Sequence, residues 1–435
     1  MNKKKKNIKS SSLSLRLINA VKIEKLNSFI YDYSLAVNFY VDFLFENAIS
    51  FKTKKGTKTL DIKNDLLDCP SFLSTKDIII DSDLSARALS CAITQACNIV
   101  KSAISKRKKI LFILKKLREK KKRTRKFLKL LRKTIVKKPN LTIVNPELRS
   151  LCCEYQEPKR ITYFNGIIIL KSIGKKYGKI ILPIKYTDHS KKLKQMGKLC
   201  GSFQVSKKEI KFRYDINLPE LKEDGKIVGA DQGIVTCVTL SDSQTTQKCN
   251  HGHDLRSIVK KITRKKQGSK AFHRAKEHQK NYINWSINQL NLKDIKELRL
   301  EKLSNFRHKK NVGKFLNHFG ESLIRRKLLD VSILQGVLVV EQNSAYRSRR
   351  CSKCGYVDRR NRKKKLFSCK RCLYKVDADY NASCNHEQDL PSAENLRLLL
   401  KEKKFFWKAE GFFNLEGQEV KNDIGVPDTK RNRKT

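Results

Sequence analysis

Two Cys-x-x-Cys pairs, Cys351/Cys354 and Cys369/Cys372, are separated by fourteen residues and followed seven residues later by Asp379. Four thiolates at that spacing suit one tetrahedral zinc ion, and sharing it obliges the two short loops to fold against each other. A carboxylate is a different kind of donor: hard oxygen suits magnesium, soft sulfur suits zinc. The stretch therefore reads as a zinc-stapled insert that delivers a carboxylate to a second metal site. The bland alternative is a zinc ribbon that only folds and binds, followed by an exposed Asp. The acidic residues upstream weigh against that alternative.

The run from Lys226 to Asp231 is an apolar strand ending in an acid, and Gly233 permits a tight turn into a second strand predicted over 234–240. In a strand predicted over 295–302, Glu297, Arg299 and Glu301 share one face, Leu298 and Leu300 the other, with Glu301 at the end. Asp379 opens a short helix. An unpaired charge at a buried strand end is costly, so each acid needs a partner: a metal ion, or an Arg or backbone cap. In the order Asp, Glu, Asp, separated by 70 and 78 residues, the three match the RNase H arrangement of strand ends converging on two metal ions. Two Mg²⁺ ions about 3.5–4 Å apart activate a water and stabilise the leaving oxygen of an in-line phosphodiester cut. No nucleophilic Ser or Cys is needed, and no Gly-rich phosphate loop points to an NTPase.

Charge narrows the partner. The 435 residues carry 97 Lys and Arg against 42 Asp and Glu, a net +55 whose self-repulsion opposes compaction unless a polyanion relieves it. Spread along the chain, that excess favours a large nucleic acid over a small acidic ligand. Between 101 and 140 there are nineteen Lys and Arg and one acid, Glu119, with Leu114, Leu117, Leu128, Leu131 and Ile135 as an apolar stripe. A merely solvated helix mixes signs, so this block predicts a helical hairpin along a phosphate backbone. The candidate contacts are Lys108, Lys115, Lys120, Lys121, Lys122, Arg123, Arg125 and Lys126. No apolar run approaches the length of a membrane span, and no apolar segment follows the lysine-rich start, so neither membrane nor secretory signal is expected. Nine irregularly spaced Cys lie outside the pairs and read as reduced thiols of a cytoplasmic, nucleoid-associated protein.

Along the chain, an early strand is predicted over 13–21, a helix over 23–49 and an amphipathic helix from Asp81. Strand texture follows from 159 to 217, with Asn165-Gly166 as a hairpin signal, a strand over Ile180 to Tyr186, and alternation at Ile210, Phe212, Tyr214 and Ile216. Residues 218–225 read as a linker. A basic helical stretch over 254–290, a helix over 317–330 and a strand over 334–341 precede the Cys pairs.

Gly229-Ala-Asp231-Gln-Gly-Ile, Leu300-Glu301-Lys-Leu303, and Cys351-x-x-Cys-Gly355, Cys369-x-x-Cys and Ala378-Asp379-Tyr-Asn-Ala382 resemble the three RuvC motifs and zinc insert of the TnpB family. These are transposon-encoded RNA-guided nucleases, similar to compact type V CRISPR effectors. The resemblance implies an α/β RNase H-like (RuvC) nuclease core with a zinc-ribbon insert. It adds an N-terminal β-barrel-like wedge module interrupted by an α-helical recognition lobe. The implied layout is a wedge at 1–21 and 145–222, a recognition lobe at 22–144, a nuclease at 223–345 and 377–388, a zinc insert at 346–376 and a polar basic tail at 389–435. It further implies that Asp231, Glu301 and Asp379 hold two catalytic Mg²⁺ ions, and that Cys351, Cys354, Cys369 and Cys372 hold one structural Zn²⁺. The partners would be a guide RNA and double-stranded target DNA. Gln232, Leu373 and Ser383-Cys384 depart from the family pattern without removing a ligand. Asp377 is the rival third carboxylate, and Glu341 reads as structural. Competing readings are a type V CRISPR effector, a DDE-type transposase, and an RNA-guided DNA-binding protein that does not cut.

Overall fold

The computed structural model describes residues 7–53, 56–75, 78–119, 128, 130–158, 163–302, 313–393 and 404–420. The chain divides into two compact units, Met1–Asn217 and Leu218–Thr435.

In the first unit, the strand Glu209–Ile216 alternates as its sequence predicts, with Ile210, Phe212, Tyr214 and Ile216 buried. It pairs antiparallel with the N-terminal strand Ile8–Ser14, which sits several residues before the predicted 13–21. Ser202–Val205 and Glu147–Arg149 extend this sheet, and Gly197–Leu199 also joins Glu209–Ile216. A second sheet orders Cys153–Gln156, Gly166–Leu170 and Ile180–Ile184. Asn165-Gly166 is not a two-residue turn here. Gly166 begins its strand at a position where a Cβ would lie 2.5 Å from the Tyr155 ring, and the Asn165 side chain accepts from Tyr186 N–H. The helices Ala20–Glu46 and Ala86–Glu119 pack on each other. Within the predicted helical region lies an unpredicted sheet of Ile49–Thr53, Gly56–Asp61 and Leu66–Leu67.

The second unit is built on a four-stranded sheet in the order Thr239–Leu240, Lys226–Asp231, Ile295–Lys302, Leu338–Asn343. The last three run parallel, and Thr239–Leu240 pairs antiparallel with Ala230 and Asp231. Two predicted strands match closely, whereas 234–240 shrinks to its last two residues. Gly233 N–H bonds Cys237 C=O and Val238 N–H bonds Thr246 Oγ1, so local partners replace a ladder. Strand alternation sorts the faces. Val228, Ala230, Leu298 and Leu300 enter a core with Leu255, Ile258, Ile283, Ile287, Ile324 and Leu328 from the helices Leu255–Thr263, Lys270–Asn288 and Glu321–Ile333. Gly229, Asp231, Arg299 and Glu301 fall on the opposite face.

That face takes the helix Ala378–Glu387. A Cβ on Gly229 would lie 2.0 Å from Ser383 C=O and 2.4 Å from Glu387 N, so only glycine allows this approach. Arg299 ties the arrangement together, pairing with Glu297 at 2.6 Å and donating to Glu387 C=O at 2.7 Å. Residues 404–420 of the predicted polar tail carry two short strands. Phe405–Trp407 pairs with Tyr356–Val357 and Phe412–Phe413, burying Trp407. Its signal was present as Phe405-Phe406-Trp407 and Phe412-Phe413. No helix among the described residues is long and apolar enough to cross a membrane.

Candidate metal centre

Parallel pairing of Ala230 with Leu300 sets the next residues, Asp231 and Glu301, side by side at the ends of adjacent strands. One carboxylate oxygen of each and a ring nitrogen of His386 lie within 4.8 Å of one another. Asp231 is buried, and exclusion of water pushes its carboxyl up to about 7; Asp379 adds to the rise and Arg362 and Lys365 oppose it. Burial likewise pushes Glu301 up to about 8, with Asp231 adding and Arg362 and Arg347 opposing. Two carboxylates held close out of water each favour the protonated form until a cation joins them. His386 is 1% exposed, and burial together with Arg347 pushes it down to about 3, so its ring is neutral. Its Nδ1 has no hydrogen-bond partner, and neither does the side-chain amide of the buried Gln232 beside Asp231. A site of hard oxygens, a neutral imidazole and unsatisfied buried polar atoms fits a divalent cation.

Asp379 lies in the first turn of the Ala378–Glu387 helix and is buried. Its carboxylate accepts from Arg362 at 2.9 Å and from Lys365, and one of its oxygens lies 3.2 Å from where a Gly233 Cβ would be. It thus faces the Asp231 loop with two cationic side chains against it, outside the Asp231–Glu301–His386 group. The exposed Asp377 serves the helix instead. Its Oδ1 accepts from the N–H groups of Asp379 and Tyr380, capping the first turn. Glu341 is paired with Arg325.

The four cysteines form a compact group. Their sulfurs all lie within 4.8 Å of one another, with Cys351–Cys372 at 3.7 Å and Cys354–Cys369 at 3.6 Å. Four sulfurs about 2.3 Å from a tetrahedral ion would be about 3.8 Å apart, so the set fits zinc. The two knuckles repeat one geometry: Cys351 N–H bonds Tyr356 C=O, and Cys369 N–H bonds Tyr374 C=O, each at 2.9 Å. Both turn through a left-handed residue after the second cysteine, Gly355 at φ 78° and Leu373 at φ 58°. Asn361 clasps the knuckles, donating to Arg349 and Tyr356 carbonyls and accepting from Lys370 N–H.

The insert is joined to the helix by two buried amides. Asn381 accepts from Ser352 N–H at 3.0 Å and donates to Arg350 C=O at 2.8 Å, while Asn385 donates to the Arg347 and Arg350 carbonyls. The hairpin between the knuckles, Arg362–Lys363 with Leu366–Ser368, supplies Arg362 and Lys365 to Asp379. The four-cysteine insert therefore carries both cationic side chains that hold Asp379. Sequence reasoning missed His386, whose signal was its spacing of seven residues, two turns, from Asp379.

In the first unit, Lys108 and Lys115 are exposed on Ala86–Glu119. Leu130 packs against Ile110 and Leu114, in keeping with a returning hairpin. Lys120, Lys121, Lys122, Arg123, Arg125 and Lys126 lie outside the described residues. A cleft of about 800 Å³ is lined by Lys106, Arg107, Arg132, Lys133, Lys137 and Lys138 among others. Arg107 is engaged by Asp65.

Residues 322–386, running from the last core helix through the four-cysteine insert to His386, match the TNB domain of the Cas12f1-like family. A 90-residue stretch is 33% identical to the CRISPR-associated endodeoxyribonuclease Cas12f1 of Sulfoacidibacillus thermotolerans, covering 20% of this chain and 21% of that protein. A 92-residue stretch is 37% identical to a TnpB-like protein of Aquifex aeolicus, covering 20% of this chain and 30% of that one. The resemblance read from the motifs is thereby borne out: stretches of this chain are similar to a TnpB-like protein and to Cas12f1. The match spans about a fifth to a third of the length of these curated relatives. Among solved structures, C2c1 of Alicyclobacillus acidoterrestris with single-guide RNA aligns over 93% of this chain and 91% of its own, at 9% identity and TM-score 0.46. A Cas12f1–sgRNA–target DNA complex aligns over 88% and 99%, at 13% identity and TM-score 0.26.

Proposed function

We propose that this chain is an RNA-guided DNA endonuclease of the TnpB type, cutting phosphodiesters at an Asp231–Glu301–Asp379 site. The observation that carries the reading is the convergence of two strand-end carboxylates with a third on the helix packed against them. Mg²⁺ ions bound there would supply an activated water and neutralise the leaving oxygen. Asp231 stands beside Glu301 and feels the charge of Asp379. Arg362 and Lys365 hold Asp379 in place and add positive charge where a phosphate would approach. The four-cysteine insert, holding one zinc ion, fixes the hairpin that carries both cations.

The same reading gives the first unit the work of holding guide RNA and target DNA, with its sheets as the wedge and its basic helices as the recognition lobe. Base pairing would read the sequence, while lysines and arginines follow the backbone. A transposon context goes with the TnpB resemblance; flanking transposon ends would support it and a CRISPR repeat array would replace it.

The test is paired gel shift and cleavage of guide-matched DNA, with the guide taken from RNA that copurifies with the chain. Asp231→Ala, Glu301→Ala and Asp379→Ala should each abolish cutting and leave RNA-directed DNA binding nearly intact. Asp377→Ala, a capping loss of about 1 kcal/mol, should still cut. Cleavage surviving in Asp231→Ala would overturn the enzyme reading.

A further inference from the structure

His386 is buried at the site, and the three-carboxylate scheme leaves it without a role. It stands two turns after Asp379 on the helix Ala378–Glu387, so both side chains lie on nearly the same face. That face meets the Asp231 strand at Gly229, where the backbones touch closely enough to exclude any side chain. The close approach brings a ring nitrogen of His386 within 4.8 Å of carboxylate oxygens on both Asp231 and Glu301. The ring is 1% exposed, and its Nδ1 meets no hydrogen-bond partner. A buried imidazole nitrogen left without a partner is costly in a packed interior, and that cost is offset when the nitrogen meets a cation. The adjacent Gln232 amide, buried and also unpartnered, adds a second polar group with no protein partner next to Asp231.

We propose that Asp231, Glu301 and His386 together form a two-carboxylate, one-imidazole site for a divalent transition-metal ion, with Mn²⁺ bound in preference to Mg²⁺. This deepens the nuclease reading by naming the ion for one position of that site, and it rests on that reading only for what the ion does there. The preference follows from donor chemistry. Magnesium keeps to oxygen ligands and near-octahedral geometry, whereas first-row transition ions accept nitrogen readily. Glu301 and Asp231 supply the oxygens that manganese also favours, and His386 supplies the donor that discriminates. Asp379, held by Arg362 and Lys365, is outside this set and retains oxygen donors alone for a second ion.

The experiment uses the full chain with zinc in its four-cysteine site and the other metals removed, without nucleic acid, so that loss of nuclease activity does not bear on it. Titration calorimetry with MnCl₂ and with MgCl₂ should show Mn²⁺ binding at least about tenfold tighter. His386→Leu should weaken Mn²⁺ by about tenfold or more while changing Mg²⁺ far less. Because a buried substitution can disturb folding, the wild-type protein carries an independent readout. Pulsed electron paramagnetic resonance of its bound Mn²⁺ should show coupling to a ¹⁴N nucleus, and Asp231→Asn should lose that signal with the ion. Mn²⁺ bound without nitrogen coupling would overturn the role of His386 and leave the carboxylate pair as the site. Equal Mn²⁺ affinity in wild type and folded His386→Leu would overturn it as well.

Discussion

Lys365 reaches from the hairpin between the zinc knuckles to the carboxylate of Asp379, forming an ion pair at the start of the helix that Asp379 occupies. A lysine ammonium in that position lowers the repulsion between Asp379 and the buried Asp231. It stands in part where a divalent cation would exert the same influence. Lys365→Met should therefore make the metal-free protein less stable and enlarge the stabilisation produced by added Mg²⁺. Thermal unfolding with and without Mg²⁺ checks this, and an unchanged metal-induced shift would show that Lys365 does not compete.

The raised carboxyls of Asp231 and Glu301 set a pH dependence. Their folded values, about 7 and about 8, lie above the ordinary range near 4. The folded state therefore binds more protons. The stability these groups contribute is fully present below about pH 4 and is lost as pH rises through 7 to 8. A bound divalent ion needs the deprotonated forms, so its stabilising effect should grow over the same window. Unfolding temperatures of metal-free and Mg²⁺-loaded protein should diverge more at about pH 8 than at about pH 6; a constant gap would count against it.

Leu373 holds a left-handed backbone at φ 58° with its side chain exposed, at the position where the first knuckle has Gly355. That conformation costs a leucine roughly 1–2 kcal/mol, and glycine returns about half through its freer unfolded chain. Leu373→Gly should stabilise the second unit by about 0.5–1 kcal/mol, raising its unfolding temperature by about 1–4 °C. A decrease would mean that the leucine side chain is held by packing worth more than the strain.

Zinc binding at the four-cysteine group should be inseparable from folding of the insert, because sites of this kind contribute on the order of 10–16 kcal/mol. Cys354→Ser or Cys369→Ser should lower soluble yield and zinc content together. Elemental analysis of well-folded wild type that finds no zinc would remove the site.

Replacing Lys120, Lys121, Lys122 and Arg123 with Gln should weaken RNA binding and flatten its salt dependence. The slope should fall by up to about 0.9 log units for each duplex phosphate no longer neutralised. Lys108→Gln with Lys115→Gln, on the exposed side of the described helix, should act in the same direction. An unchanged slope would make the block a solvated surface.

What the sequence determined was short-range chemistry. Thiol spacing defined the four-cysteine group, an apolar run defined the strand Lys226–Asp231, and alternation defined Ile295–Lys302, with an acid closing the first and Glu301 near the end of the second. These patterns are legible because ligand geometry and strand pleat repeat over a few residues. Tertiary structure decided the rest. Asp377 and Asp379 are near-identical in sequence context, and only the helix axis separates the capping carboxylate from the buried one. His386 joins Asp231 and Glu301 because Gly229 lets a distant helix press onto the strand. The aromatics at 405–413 found their place by pairing with Tyr356–Val357, a partner no local pattern names. Proximity between residues far apart in the chain depends on which apolar faces pack together, and that is a property of the whole core rather than of any one segment.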